Sequence, residues 1–229
     1  MNPTAIGFAE SLLHVDDQQK VLRLIQMIRE NRLDFVRAFI HMPNHALTHH
    51  RTLTLSSSIQ ERCIPLALEI VALDDFESRA YKIQSLFDSV KQGLVPVVEA
   101  MLAMTPISEL ERSYMLFDAA IDRNREMILD IVLSGPVSDY AFNLAVQKVA
   151  EVGDVPLLNI LLDKHNLSRI ARAQALVLAT GNGHQEAMSL LLQSGQVQED
   201  DLDWAIETAQ SRGHDELCEL INRHRQVRE

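Results

Sequence analysis

Three histidines crowd one short stretch of this chain, and they are the first place to look for chemistry. His45, His49 and His50 lie within PNHALTHHR. The four-residue step from His45 to His49 would put both imidazoles on one face of a helix, a spacing that zinc sites use. A metal-dependent enzyme built on the His45–His50 cluster is therefore one reading. The segment lacks the glutamate of an HExxH arrangement, and Cys63 stands too far along the chain for a finger spacing. A polar loop is the better reading of the cluster. Elsewhere there is no GxSxG elbow, no GxxxxGK[ST] phosphate loop and no Cys–His pairing with a supporting motif. The GNG at Gly181–Gly183 follows no strand pattern and reads as a helix-ending turn. Neither Cys63 nor Cys218 has an activating neighbour in sequence. No catalytic residue, no metal site and no cofactor are expected.

The elements that would position any site come from a repeat. VAEVGDVPLLNILL, ATGNGHQEAMSLLL and AQSRGHDELCELIN align on Gly153, Gly183 and Gly213, two steps of 30 residues. Earlier in the chain SVKQGLVPVVEAML puts Gly93 in the same role, AIDRNREMILDIVL puts Asn124 there, and MIRENRLDFVRAFI puts Asn31. A further unit turns near Arg62, in IQERCIPLALEIVAL. The turns are thus expected at 31, 62, 93, 124, 153, 183 and 213.

Patterning supports that register. The fourth, fifth, seventh and eighth residues after each turn make 28 positions, all apolar except Glu69, where a 47% hydrophobic composition would give about 13. Such spacing is one face of a helix. Pro65, Pro96 and Pro156 stand three after a turn, where a first helical turn tolerates proline. Pro43, Pro106 and Pro136 stand where a second helix must stop. Before the turns, Leu24, Leu55, Leu86, Phe117, Val146, Leu176 and Ile206 supply large apolar groups. One helical turn later come Met27, Ser58, Ser89, Ala120, Val149, Ala179 and Ala209, mostly small. Each unit is helix, tight turn, helix, loop, and even RTLTLS at Arg51–Ser56 falls within a helix.

The stretch ALVLATGNGHQEAMSLLLQSG, Ala175 to Gly195, resembles the central signature of the ankyrin-repeat family, and WAIETAQSRGHDELCELI repeats its Gly-His at Gly213 and His214. The family's Thr-Pro-Leu-His opening is absent, and 29–31 residues is shorter than its usual ~33. The resemblance implies an all-α solenoid of about seven helix–turn–helix repeats in one domain. Residues 1–16 would cap it, 17–222 would form the repeats, and 223–229 would be a polar tail. It implies that His184 and His214 brace adjacent units. It also implies a non-catalytic protein–protein interaction module, an adaptor or a partner-occluding protein, binding through inter-repeat loops and the first-helix face. Free-standing degenerate proteins of this kind resemble effectors that intracellular bacteria deliver into host cells.

Charge narrows the partner. With 21 basic against 32 acidic residues the net charge is −11, which disfavours nucleic acid and anionic membranes and favours a protein with a basic surface. No stretch reaches the ~18 apolar residues of a membrane span. The N-terminus reads as lacking a secretion signal, and two isolated cysteines suit a reducing, cytoplasmic setting. Three loops carry acidic groups: Asp74-Asp75-Glu77, Ser138-Asp139-Tyr140, and Gln198 to Asp203. An acidic ledge of Asp74, Asp75, Asp139, Asp200 and Asp201, with Tyr140 and Trp204 beside it, is the expected partner-binding surface. A monomer is expected, with an oligomeric scaffold as a further alternative.

Overall fold

A computed structural model describes residues 3–42, 47–164, 167–195 and 197–228. It is all-α: fifteen helices and no strand among the described residues. The chain divides into two compact units, Met1–Ile107 and Ser108–Glu229. The first holds α1 (Pro3–Leu12), α2 (Asp17–Arg29), α3 (Leu33–Ile40), α4 (Leu47–Gln60), α5 (Ile64–Ala72), α6 (Arg79–Lys91) and α7 (Val95–Met104). The second holds α8 (Glu109–Ile121), α9 (Arg125–Leu133), α10 (Asp139–Val152), α11 (Val155–Lys164), α12 (Arg169–Gly181), α13 (Gln185–Gln193), α14 (Glu199–Ser211) and α15 (Asp215–Arg228). Helices pair in order within each unit. In the first, α2 packs on α4 and α4 on α6, while α1 packs on α3. In the second, α8, α10, α12 and α14 lie side by side in that order.

The tight turns share one device. Asn31, Arg62, Gly93, Arg123, Gly153, Gly183 and Gly213 all have positive φ, between 54° and 77°. The residue after each donates its N–H five residues back: Arg32 to Met27, Cys63 to Ser58, Leu94 to Ser89, Asn124 to Ala119, Asp154 to Val149, His184 to Ala179 and His214 to Ala209. This is the bond of a Schellman closure, which satisfies a carbonyl at the helix end. The fourth turn is therefore at Arg123, not Asn124, and the steps become 31, 31, 30, 30, 30 and 30. Asn124 is instead the N-cap of α9, its side-chain oxygen accepting the Met127 N–H at 3.1 Å. Asparagine suits both roles; the orphan amide at the start of α9 decides between them. In the corrected register Leu116, seven before the turn, is fully buried, and Phe117 is only half-buried.

Burial explains the polar exception of the pattern, and the second that the corrected register adds. Positions four, five and eight after the turn are buried in every unit: Phe35, Val36 and Phe39 in α3, through Leu217, Cys218 and Ile221 in α15. Position seven is half-exposed in all but the first, so Glu69 stands there and pairs with Arg37 at 2.8 Å. Asp130 takes the same place in α9.

Two further series run through the helices. Fifteen residues before the turn, Asp16, Ser78, Ser108, Ser138 and Ser168 each accept the N–H three residues on, capping α2, α6, α8, α10 and α12. Eleven before it stand Lys20, Arg51, Lys82, Arg112 and Arg172. The last two are buried, and each closes the C-terminus of its own unit's second helix. Arg112 donates to Ser134 Oγ at 3.0 Å and to the Pro136 carbonyl at 2.8 Å, and Arg172 donates to the Ser194 carbonyl at 2.8 Å. A cation there also meets the negative end of the helix dipole. Arg172→Met keeps the apolar stem and strands that carbonyl, so urea unfolding should register a loss of about 1–3 kcal/mol. An unchanged midpoint would show that water replaces the guanidinium freely.

Candidate protein-docking surface

The sequence-selected residues fall in different settings. Asp74 is ion-paired with Lys82, and Asp75 with Arg51 while accepting from Thr48 Oγ1 at 2.9 Å. Asp201 is 6% exposed. It takes Arg169 at 3.1–3.2 Å and the Gln198 N–H at 2.9 Å. Burial works to raise its pKa, but Arg169 and that amide override it and hold the carboxyl below its ordinary value. These three carboxylates are already occupied inside the chain. Asp139 and Asp200 are exposed, in the first turns of α10 and α14. Asp74 and Asp75 lie in the first unit; Asp139, Asp200 and Asp201 lie in the second. Tyr140 and Trp204 are both at the surface.

The histidine cluster resolves into unlike members. His45 lies outside the described residues, as does Pro43. His49 is held between Glu77, 2.9 Å from Nδ1, and Asp17, 2.9 Å from Nε2. The Glu77 bond first, and Asp17 after it, raise its pKa against the opposing effect of burial. Its contribution to stability is thus full below the ordinary value of 6.5 and is lost as pH rises through the folded-state value. His50 is buried, its ring stacked 4.4 Å from Phe39, and burial pushes its pKa down. Among the described residues no group of three or more His, Cys, Asp or Glu is arranged to hold a metal. Cys63 and Cys218 are free thiols.

His184 does brace its neighbours. Its Nε2 lies 3.1 Å from the Glu151 carbonyl, and its ring covers Gly153 so closely that a Cβ there would come within 2.6 Å. His214 lies over Gly183 less closely, its Cε1 3.0 Å from where a Cβ would stand.

Sequence reasoning named the first-helix face, Tyr140 and Trp204, but missed that Leu110, Tyr114 and Ile170 join Tyr140 as an apolar stripe on the second unit's first helices. Two positions, thirteen and nine residues before the turn, lie four apart and so share a helix face. They hold Leu110 and Tyr114 on α8, Tyr140 and Leu144 on α10, Ile170 and Gln174 on α12, and Asp200 and Trp204 on α14. Tyr140 is 71% exposed, Ile170 69%, Leu110 64%, Tyr114 58% and Trp204 46%. Exposed apolar groups scattered singly need no explanation, but Leu110, Tyr114 and Tyr140 line one cleft, and Ile170 repeats their position on the next helix; Gln174 and Asp200 separate these from Trp204. In the first unit the same positions carry Gln18, Leu22, His49, Leu53, Ala80 and Gln84, a more polar set. The signal was present in the sequence as a period of 30 between Leu110, Tyr140 and Ile170.

Between α8 and α10 the stripe deepens into a cleft of about 300 Å³, lined by Leu110, Ser113, Tyr114, Phe117, Ser138, Tyr140 and Ala141. Tyr140 stacks on Phe117, ring centroids 6.3 Å apart at 18°. At its floor the Ser138 N–H donates to Ser113 Oγ at 2.7 Å, which in turn donates to the Glu109 carbonyl. Those polar groups are thereby satisfied, and the exposed lining is left mainly apolar. Glu109 and Asp139, the first residues of α8 and α10, are exposed at its N-terminal end and take part in no ion pair among the described residues.

Compared with known proteins, the chain matches no family model and no curated protein. Among the described residues no helix is long and apolar enough to cross a membrane.

Proposed function

We propose that the chain is a degenerate ankyrin-like α-solenoid that binds another protein and catalyses nothing, working in a reducing, cytoplasmic setting as an adaptor or by covering a partner's site. The observation that carries this reading is the exposed apolar set Leu110, Tyr114, Tyr140 and Ile170 on three adjacent helices, with Trp204 on the fourth beyond Gln174 and Asp200, at equivalent positions where an unbound surface helix would be polar. The solenoid part is supported by the shared Schellman turns and by the His184 bond to the preceding unit's Glu151 carbonyl, the kind of brace the resemblance implies. The surface is aromatic and aliphatic with acidic residues at the helix starts, the composition of a protein interface and the wrong sign for phosphates.

Affinity capture from a native lysate tests it. The intact chain should retain a specific protein. Ile170→Asp combined with Trp204→Ala should release that protein while leaving the helical circular dichroism unchanged, since Ile170 is mostly in solvent and Trp204 is half-exposed. Capture indifferent to those substitutions, and to Asp200→Asn, would remove the first-helix face from the reading.

A further inference from the structure

We infer that the α8–α10 cleft takes one large apolar side chain from a basic peptide segment of another protein, and that the rest of the stripe packs against the flanks of that segment. This rests on the binding-module reading and adds the chemistry of the partner. The cleft is bounded on one side by Leu110 and Tyr114 and on the other by Tyr140, stacked on Phe117. Its size and apolar lining fit a single indole, phenyl or branched aliphatic group. Aromatic anchors seated in such pockets carry a disproportionate share of interface energy, and ring-on-ring packing adds to the area they bury.

Charge selects the flanks of the anchor. Glu109 and Asp139 stand at the N-terminal end of the cleft without a cationic partner among the described residues, while Asp200, further along the same edge, shares the field of Arg169. Arg112, the cation on the cleft's own helix, is buried and turned away toward Ser134 and Pro136. Arg169 is engaged by Asp201. An incoming segment therefore meets uncompensated negative charge, set in a chain whose net charge is −11. Lysine or arginine beside the apolar anchor gains from this, and the long-range field speeds its approach. A second copy of the chain would bring an equal set of carboxylates against these and is repelled.

The test is selection of a displayed random-peptide library against the intact chain, followed by titration of the enriched sequences as fluorescein-labelled synthetic peptides. Enriched peptides should share a tryptophan, phenylalanine or leucine next to arginine or lysine, and added salt should weaken their binding. Tyr140→Ala should weaken them at least about 30-fold, the range of a true anchor contact. Tyr140→Phe should stay within about threefold, and Glu109→Gln with Asp139→Asn should cost about tenfold and flatten the salt dependence. Peptides that are acidic or lack an apolar anchor, a Tyr140→Ala effect below about threefold, or an absence of enriched peptides would each overturn the inference. A dimer in sedimentation that dissociates in Tyr140→Ala would overturn it as well. Peptides mapping instead to Ile170 and Trp204 would sink the cleft and leave the proposed function standing. Failure of the lysate capture too would sink both.

Discussion

Gly153→Ala is expected to cost this protein about 3 kcal/mol, whereas Gly213→Ala costs about 1 kcal/mol, although the two residues occupy equivalent turns. Both have strongly positive φ, 77° and 75°. That conformation is costly for alanine but not forbidding, since Asn31, Arg62 and Arg123 adopt it in other turns. The difference lies in what covers the glycine. A Cβ on Gly153 would sit 2.6 Å from both Cγ and Nδ1 of His184, an impossible contact, while nothing lies within 4 Å of one on Gly213. The imidazole would have to move, and its bond to the Glu151 carbonyl would go with it. Urea unfolding of the two variants measures the gap. In a His184→Ala background the cost of Gly153→Ala should fall to that of Gly213→Ala, because only backbone strain remains. Equal costs in the presence of His184 would mean that the ring yields freely and braces nothing.

Phe39→Ala should lose about 3–5 kcal/mol, the cost of emptying a fully buried aromatic site. Phe39 is wholly buried in α3 and stacks on His50 of α4. That packing has an electrostatic consequence which gives a second readout. Burial holds the His50 pKa below 6.5, with Lys20 and His49 adding to the effect and Asp17 opposing it. A group with a lowered pKa binds its proton more weakly when folded, so the wild type loses stability on this account as pH falls below 6.5. Removing the phenyl ring admits water, the pKa should move back up, and the acid-side loss should shrink. His49 runs the opposite way, since Glu77 and Asp17 raise its pKa. Histidine resonances followed by NMR across the neutral range separate the two. A loss below about 1 kcal/mol, or a His50 titration unchanged by the substitution, would count against the packing account.

Much of the helical organisation was legible in the residues because it depends on local rules. A turn needs a positive φ, and glycine supplies it at Gly93, Gly153, Gly183 and Gly213. A helix start tolerates proline, and Pro65, Pro96 and Pro156 are each the second residue of a helix. Arg51–Ser56, strand-like in alternation, is helical within α4 as the register required. The cap series at Asp16, Ser78, Ser108, Ser138 and Ser168 was equally visible, and so were the cations eleven residues before the turns. Both repeat with the same period, but at only five of the seven units each, so their phase is weaker than that of the apolar positions.

The sites were less legible. Acidic residues in loops look alike in sequence, yet Asp74, Asp75 and Asp201 are occupied by Lys82, Arg51 and Arg169, while Asp139 and Asp200 are exposed, Asp200 within the field of Arg169. Partners 8, 24 and 32 residues away decide which is which. His49 and His50 are neighbours in the chain, but a helix turns successive residues about 100° apart. One faces two carboxylates and the other a phenyl ring, so their pKa values move in opposite directions.

By itself the sequence determined the helical class, the period near 30 residues, the turn chemistry and the buried stripe, all consequences of backbone geometry and of spacing along one helix. Only the tertiary structure decided that the fourth turn falls at Arg123, where capping of the next helix claimed Asn124. It also decided which carboxylates are spent, and that Tyr114 and Tyr140 flank a shared cleft. Those outcomes depend on which groups from different helices come to lie beside one another, and spacing along a single helix carries no record of that.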